Sequence, residues 1–207
     1  IPYTNNYTYF TDNYAKMVTA SAIDSKATET VTLTEINSAL GSKLKNFFGI
    51  QWIDSNTLLV TENGKYYAYI PSSKKVTQLQ ETKSTCQNTT FDKKKRNLAF
   101  TEKNNLYYYN TDKEIIQITN ETNEDIVSGQ FFARSEFGIS NGIFWSPKSS
   151  FLAFYQKDQS EVTDYPLVDI FATPAKLDNI KYPMIGQKSE KPKVGIYNLA
   201  TQKTVFI

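Results

Sequence analysis

The residues of this chain best suited to chemistry are a carboxylate and a nearby guanidinium, Glu136 and Arg134. An apolar stretch follows them and ends in Trp-Ser-Pro at 145–147, a pattern that predicts a buried strand closed by a turn. A carboxylate in a partly desolvated cavity can bind an ammonium group through a charge-assisted hydrogen bond. The alternative is an ordinary surface ion pair between Glu136 and Arg134 at the end of a strand.

Composition excludes the commonest catalytic machinery from this chain. It has no histidine, so it cannot complete a Ser-His-Asp or Cys-His arrangement, and the most frequent metal ligand is missing. Its single cysteine, Cys86, cannot form an intrachain disulfide. We therefore expect no catalytic residue, no metal site and no cofactor within these 207 residues.

The charge pattern argues against a nucleic-acid partner, and the hydropathy pattern argues against a membrane span. The chain has 23 basic and 21 acidic residues mixed along its length, so no field of one sign is available to attract nucleic acid. The densest basic cluster, Lys93–Arg96, lies between two apolar stretches and is expected to be a solvated turn. No run approaches about 18 apolar residues, so we predict no membrane span.

A repeated pattern of aromatic residue, turn and apolar strand organises the sequence. It begins at Trp52, Phe91 and Trp145, which are 39 and 54 residues apart, and each unit continues with further short strands. Because these aromatics recur at matching positions, we expect them in the core rather than in a stacking platform for ligands. A four-stranded repeat of about 40–50 residues is typical of a β-propeller blade.

We therefore predict an all-β fold, a partial β-propeller of about four blades. The predicted blades cover about residues 1–33, 47–80, 87–119 and 138–207. The first is incomplete, and we expect its missing strand either before Ile1, where the chain begins without an initiating methionine, or from elsewhere in the parent protein. Since a propeller closes with about 4–8 blades, the chain is expected to be part of a larger disc.

Two connecting segments stand out in this scheme. Residues 34–46 are predicted to hold a short helix, with Thr34 as N-cap and Gly41 as C-cap. Residues 158–193 form a long insertion containing four prolines within the last blade. Loops of this length commonly form arms, lids or interfaces, although plain decoration is the alternative.

Five motifs in the last third of the chain resemble the propeller domain of dipeptidyl peptidases in the prolyl oligopeptidase family, and among them the prolyl tripeptidyl aminopeptidases. The motifs are Glu136-Phe137-Gly138-Ile139, Phe144-Trp145-Ser146-Pro147-Lys148, Leu152-Ala153-Phe154-Tyr155, Tyr182-Pro183-Met184-Ile185-Gly186 and Val194-Gly195-Ile196-Tyr197-Asn198-Leu199-Ala200-Thr201. The first two thirds of the chain match only in the blade pattern.

This resemblance implies an eight-bladed propeller that caps an α/β-hydrolase domain, absent from this chain, whose Ser-Asp-His triad cleaves after proline near a free amino terminus. Dipeptidyl members present two adjacent glutamates from this segment, whereas here only Glu136 matches and Ser135 precedes it. That departure suits tripeptide release, in which the hydrolase domain supplies the second carboxylate. Arg134 would orient Glu136 or contact a substrate carbonyl.

The resemblance thus implies the non-catalytic propeller part of a serine exopeptidase that removes N-terminal tripeptides or dipeptides, and the Lys-, Asn- and Tyr-rich composition favours a bacterial source. The propeller would gate access and bind the substrate's ammonium, and by itself it would be inactive. We expect an exported parent, periplasmic or attached to the cell surface, that forms a homodimer, with insertion 158–193 as the dimer arm. The alternative function is a stand-alone propeller that binds a protein or glycan.

Overall fold

The computed structural model describes residues 1–132 and 137–207, and it divides into two compact units, Ile1–Thr85 and Cys86–Ile207. The described residues contain eighteen β-strands and one α-helix. The all-β prediction is therefore confirmed. Within this described part, no helix is long and apolar enough to cross a membrane.

The first unit contains two antiparallel sheets and the helix. The sheets run in the orders β1-β2-β3 and β4-β5-β6-β7, so each is a meander of sequential strands. The elements are β1 (Asn6–Thr11), β2 (Lys16–Ser21), β3 (Ala27–Thr32), α1 (Leu33–Leu40), β4 (Gln51–Trp52), β5 (Leu58–Glu62), β6 (Lys65–Ile70) and β7 (Lys75–Glu81).

Local sequence accounts for the tight turn between β5 and β6. Asn63 and Gly64 both have positive φ, 49° and 76°. Two successive residues of this kind are required by the type I′ turn that joins twisted antiparallel strands, and Asn-Gly is the sequence that adopts it most readily. The resulting hairpin pairs Glu62 with Lys65.

Helix α1 begins two residues earlier than its sequence suggested. The N-cap is Thr32, not Thr34, because Thr32 is placed three residues before Glu35 and forms a capping box with it. Glu35 N donates to Thr32 Oγ1 at 3.1 Å, and Thr32 N donates to Glu35 Oε2 at 2.9 Å. The predicted C-cap is confirmed, since Gly41 is left-handed with φ 67°.

The core of the first unit joins both sheets to the helix. Ile36 from α1 is fully buried among side chains from β2, β3, β5 and β6, and Trp52 packs against this cluster. The buried cluster comprises Met17, Val31, Ile36, Phe47, Leu58, Val60 and Tyr69. Helix and sheets therefore stabilise one another by excluding water from a shared apolar cluster.

The second unit contains a four-stranded meander, a five-stranded sheet and a separate hairpin. The meander has the strand order β8-β9-β10-β11. The five-stranded sheet has the order β12-β14-β17-β18, with β13 also paired to β14, and the hairpin pairs β15 with β16. The strands are β8 (Gln87–Phe91), β9 (Leu98–Glu102), β10 (Asn105–Tyr109), β11 (Ile115–Gln117), β12 (Ile126–Ser128), β13 (Ile143–Trp145), β14 (Phe151–Asp158), β15 (Asp164–Asp169), β16 (Lys176–Lys181), β17 (Lys191–Asn198) and β18 (Lys203–Phe206).

Three successive tyrosines in β10 illustrate how alternation builds the second unit. Tyr107 and Tyr109 stack on Phe100, with ring centroids 5.6 and 4.8 Å away. Tyr108 points to the other face of the sheet, where its ring meets Trp145 edge-on at 6.0 Å. The three rings therefore contribute to both faces of the sheet, because neighbouring side chains of a strand point to opposite faces.

A buried carboxylate connects the β8–β9 turn to the segment between β13 and β14. Asp92 is 2% exposed and accepts hydrogen bonds from Ser149 Oγ at 2.5 Å, Lys94 N at 2.9 Å and Asn97 Nδ2 at 3.2 Å. Trp145 Nε1 donates to the carbonyl of Thr90 at 2.9 Å. The bonds to Asp92 satisfy a charge that would be costly to bury alone. The Ser149–Asp92 and Trp145–Thr90 bonds connect the two sheets.

The capping box in the first unit predicts an acid-sensitive contribution to stability. Hydrogen bonds from Lys74 and from the Thr32 backbone lower the pKa of Glu35 from 4.5 to about 2. A lowered pKa stabilises the fold above the ordinary pKa, and that stabilisation disappears as pH falls towards the folded value. We expect Glu35→Gln to destabilise the first unit above about pH 5 and to have almost no effect near pH 2.

Urea unfolding of a Trp145→Phe background measures this effect, because Trp52 is then the only tryptophan and lies in the first unit. The matched control is Glu29→Gln, which removes an exposed pair with Lys16 at 3.4 Å and should change little at any pH. A Glu35→Gln effect that did not vary between pH 2 and 5 would contradict the prediction.

Candidate functional site

The two site residues predicted from sequence, Glu136 and Arg134, lie outside the described residues. The structure describes the two ends of the segment that carries them, up to Phe132 and again from Phe137. The candidate site therefore comprises the described residues that contact these two ends.

The segment leaves and rejoins a single strand edge. Strand β14 pairs along its whole length with β17, so its other edge is available to both β12 and β13. Strand β12 pairs with Gln156–Asp158, and β13 pairs with Leu152–Phe154. Together they act as one strand that is interrupted in the middle by residues 130–141, which we call the 130–141 loop.

Hydrogen bonds continue to the points where the chain departs and returns. Gly129 N donates to the carbonyl of Tyr155 at 2.8 Å, and Tyr155 N donates to the carbonyl of Gly142 at 3.0 Å. The two ends of the 130–141 loop are therefore tied to the same residue of β14.

The neck of the loop has room only for glycine at one position. A Cβ atom on Gly142 would lie 2.3 Å from the carbonyl carbon of Gln130 and 2.4 Å from its oxygen. Since these are backbone atoms, they cannot rotate away as the end of a side chain could. The backbone at Gln130 and the backbone at Gly142 therefore lie against each other at the base of the loop.

Aromatic rings hold the loop ends from the side. Tyr155 meets Phe132 edge-on with ring centroids 4.8 Å apart, and it meets Phe144 edge-on at 5.4 Å. Phe132 lies at the departing end of the loop and Phe144 lies in β13 just after the returning end. Edge-to-face packing of this kind adds about 0.5–1.5 kcal/mol per pair beyond burial of apolar area.

The described part of the loop lines a small pocket. Its volume is about 160 Å³, and it is formed by Gly138, Ile139, Ser140, Asn141, Phe144 and Tyr155. Phe137, the residue after Glu136, is 90% exposed and has a positive φ of 56°. Positive φ is strained for a bulky aromatic residue, and such strain is concentrated at functional sites in proteins.

A polar network fixes the approach to β12. The Asn104 side chain donates to the carbonyls of Glu121, Asn123 and Ile126 at 3.0–3.2 Å. Gln156 of β14 donates to Ser128 Oγ at 3.0 Å. Local sequence does not indicate this role of Asn104, since its acceptors lie 17–22 residues further along the chain.

A larger pocket of about 430 Å³ lies where this network meets the loop neck. It is lined by Lys103, Asn104, Glu124, Val127, Gln130 and Gln159. Its lining contains opposite charges but no histidine or cysteine. Across the two described ranges, no group of three or more acidic, histidine or cysteine side chains could hold a metal ion.

Within the insertion predicted at 158–193, β15 and β16 form a hairpin that pairs Asp164 with Lys181 at one end and Asp169 with Lys176 at the other. Apolar side chains on and near this hairpin are exposed: Tyr165, Leu167, Val168, Ile170, Phe171, Leu177, Tyr182 and Ile185. Exposed apolar side chains in such number are typical of interaction surfaces.

Comparison with known proteins identifies the fold and the family. The family model of the dipeptidyl peptidase IV N-terminal region matches residues 57–207, which include the whole 130–141 loop. A crystal structure from Bacteroides ovatus, of a protein assigned as a dipeptidyl aminopeptidase IV, is 35% identical with a TM-score of 0.80. It covers 99% of this chain, whereas this chain covers 29% of it.

Two further relatives are more distant. Dipeptidyl peptidase 4 of Porphyromonas gingivalis has a TM-score of 0.69 and 23% identity, covers all of this chain and is itself covered to 31%. Dipeptidyl aminopeptidase B of Saccharomyces cerevisiae is 23% identical over 146 residues, which are 66% of this chain and 17% of the relative. The chain thus spans less than a third of each relative. The predicted partial β-propeller and the resemblance to dipeptidyl peptidase propeller domains are confirmed.

The closed neck of the 130–141 loop makes a specific stability prediction. We expect Gly142→Ala to destabilise the second unit by about 3 kcal/mol, because the new methyl group meets backbone that cannot yield. The matched control is Gly138→Ala in the same loop, where nothing lies within 4 Å of a Cβ and only the left-handed φ of 74° is unfavourable. The control should cost about 1 kcal/mol.

Urea unfolding monitored by Trp145 fluorescence in a Trp52→Phe background measures this loss, because Trp145 is then the only tryptophan and lies in the second unit. Equal losses of stability for the two glycine variants would show that Gln130 does not close the neck.

Proposed function

The chain belongs to the family of the dipeptidyl peptidase IV N-terminal region, and from this premise we propose that it is the non-catalytic propeller portion of a serine exopeptidase. The observation that carries the proposal is the family match over residues 57–207, together with a 35% identical crystal structure that covers 99% of the chain. A chain without histidine cannot supply a Ser-His-Asp triad, so the triad would belong to a C-terminal α/β-hydrolase domain of the same protein.

The proposed role of Glu136 is to bind the free ammonium group of a peptide substrate. An exopeptidase must measure the distance from the amino terminus to the scissile bond, and a fixed carboxylate does this through a charge-assisted hydrogen bond. What supports this role is that the two described ends of the segment that carries Glu136 lie on one strand edge, at a closed neck. Arg134 is proposed to orient Glu136 or to contact a substrate carbonyl.

The length of the released fragment follows from the number of carboxylates. Two adjacent carboxylates hold an ammonium group strongly but repel one another. With Ser135 before Glu136, the second carboxylate would come from the facing hydrolase domain, which relaxes the repulsion and moves the anchoring point. We therefore propose tripeptide release, whereas the names of the relatives favour dipeptide release.

The wider setting of the protein is also proposed from the family. The propeller would gate access to a cavity shared with the hydrolase domain and exclude folded proteins. The β15–β16 hairpin, with its exposed apolar side chains, would serve as the arm of a homodimer. The protein would be exported, to the periplasm or the cell surface.

Removal of the proposed anchor tests the function directly. In the full-length protein, Glu136→Ala should reduce kcat/KM on peptides with a free amino terminus by about 30-fold to several thousand-fold. This range corresponds to the roughly 2–5 kcal/mol lost when one partner of a desolvated charge pair is truncated. Steady-state kinetics on X-X-Pro-p-nitroanilide measures it, with Glu114→Gln as control, since Glu114 is an exposed carboxylate that lines neither pocket of the candidate site. An unchanged rate would refute the anchor role.

Substrate length is tested separately. Wild-type full-length protein should release X-X-Pro from a free amino terminus faster than X-Pro, because a second carboxylate supplied by the hydrolase domain would move the anchoring point further from the scissile bond. Mass spectrometry of the fragments released from a matched pair of peptides decides the matter. Predominant release of dipeptides would overturn the tripeptide assignment and leave the anchor role intact.

A further inference from the structure

One residue contacts both ends of the loop that carries Glu136. Tyr155 accepts a backbone hydrogen bond from Gly129 and donates one to Gly142. Its ring packs edge-on against Phe132 at 4.8 Å and against Phe144 at 5.4 Å. The same ring also lines the 160 Å³ pocket formed by the returning end of the loop.

The backbone bonds and the ring contacts have different requirements. Any residue at position 155 except proline could supply the N–H and the carbonyl, so the ladder does not depend on the tyrosine side chain. The ring contacts do depend on it, because Phe132 and Phe144 lie on opposite ends of the loop and Tyr155 touches both. A smaller side chain at 155 would leave the backbone ladder intact and remove the only ring that lies between Phe132 and Phe144 among the described residues.

The neighbouring residue on β14 shows that this arrangement is not general core packing. Phe154 is fully buried and points to the opposite face, where its ring meets Phe206 at 6.0 Å and fills the space beside Gly195. Tyr155, by contrast, is only half-buried. Its ring is therefore placed to hold the loop rather than to fill the centre of the sheet.

We propose that Tyr155 is a positioning residue that holds the two ends of the 130–141 loop at a fixed separation, so that Glu136 meets the substrate's ammonium group in a constant place. The inference rests on the proposed function of Glu136. Small displacements of a group that anchors a substrate are costly, because hydrogen-bond geometry is lost within about 1 Å.

The test uses the full-length protein and three variants. Tyr155→Ala should raise KM for X-X-Pro-p-nitroanilide at least fivefold with little change in kcat, because the anchor loosens while the catalytic groups are untouched. Tyr155→Phe should behave as wild type, since the ring contacts need no hydroxyl. Phe154→Leu should lower Tm and leave KM within twofold of wild type. If Tyr155→Ala does not fold, Tyr155→Leu replaces it.

A double-mutant cycle separates positioning from other effects. If Tyr155 acts through Glu136, Tyr155→Ala should change KM less than twofold in a Glu136→Ala background. A folded Tyr155→Ala with unchanged KM, or with the same increase in both backgrounds, would overturn the positioning role while Glu136 remained the anchor. No effect of Glu136→Ala would instead refute the proposed function itself.

Discussion

The shared edge of β14 is the constraint on which the candidate site depends. One edge is fully occupied by β17, so the chain that approaches as β12 and the chain that returns as β13 must divide the other edge between them. They divide it at Tyr155, which is hydrogen-bonded to Gly129 on one side and to Gly142 on the other. Tying both ends of a loop to one residue removes much of the conformational freedom that the loop would have on a flexible base.

The rest of the second unit keeps that edge in place. Leu152 and Phe154 anchor β14 in the buried cluster, and Asp92 with Ser149 fixes the turn that precedes the strand. On the other side, the side chain of Asn104 occupies three carbonyl groups of the segment leading to β12. Burial and hydrogen bonds thus act together on the segments that precede β12 and β14, and the polar Asn104 side chain is paired as buried polar groups usually are.

The proposed division of chemistry between domains is consistent with this architecture. A chain without histidine is poorly equipped for acyl transfer but well equipped to present a charged group on a rigid sheet. Binding residues are common on loops that emerge from a rigid scaffold. The scaffold fixes the position of the loop, and the loop sequence can vary without disturbing the core. The propeller would then define where a peptide begins, and the hydrolase domain would define where it is cut.

Local sequence patterns determined much of the fold. The aromatic repeats located the sheets, Asn63-Gly64 defined a hairpin and Gly41 ended the helix, because each acts through residues next to it in the chain. The sequence also singled out Glu136 by chemical type. Strand β12 was not evident from the sequence, since Ile126–Ser128 is too short to show a period. The closed neck was not evident either, because it joins Gln130 to Gly142, which are distant in the chain.

Only the tertiary structure brought Tyr155 into contact with Phe132 and Gly142 with Gln130. Those pairs are separated by 23 and 12 residues, and they meet because β12 and β13 both pair with the same edge of β14.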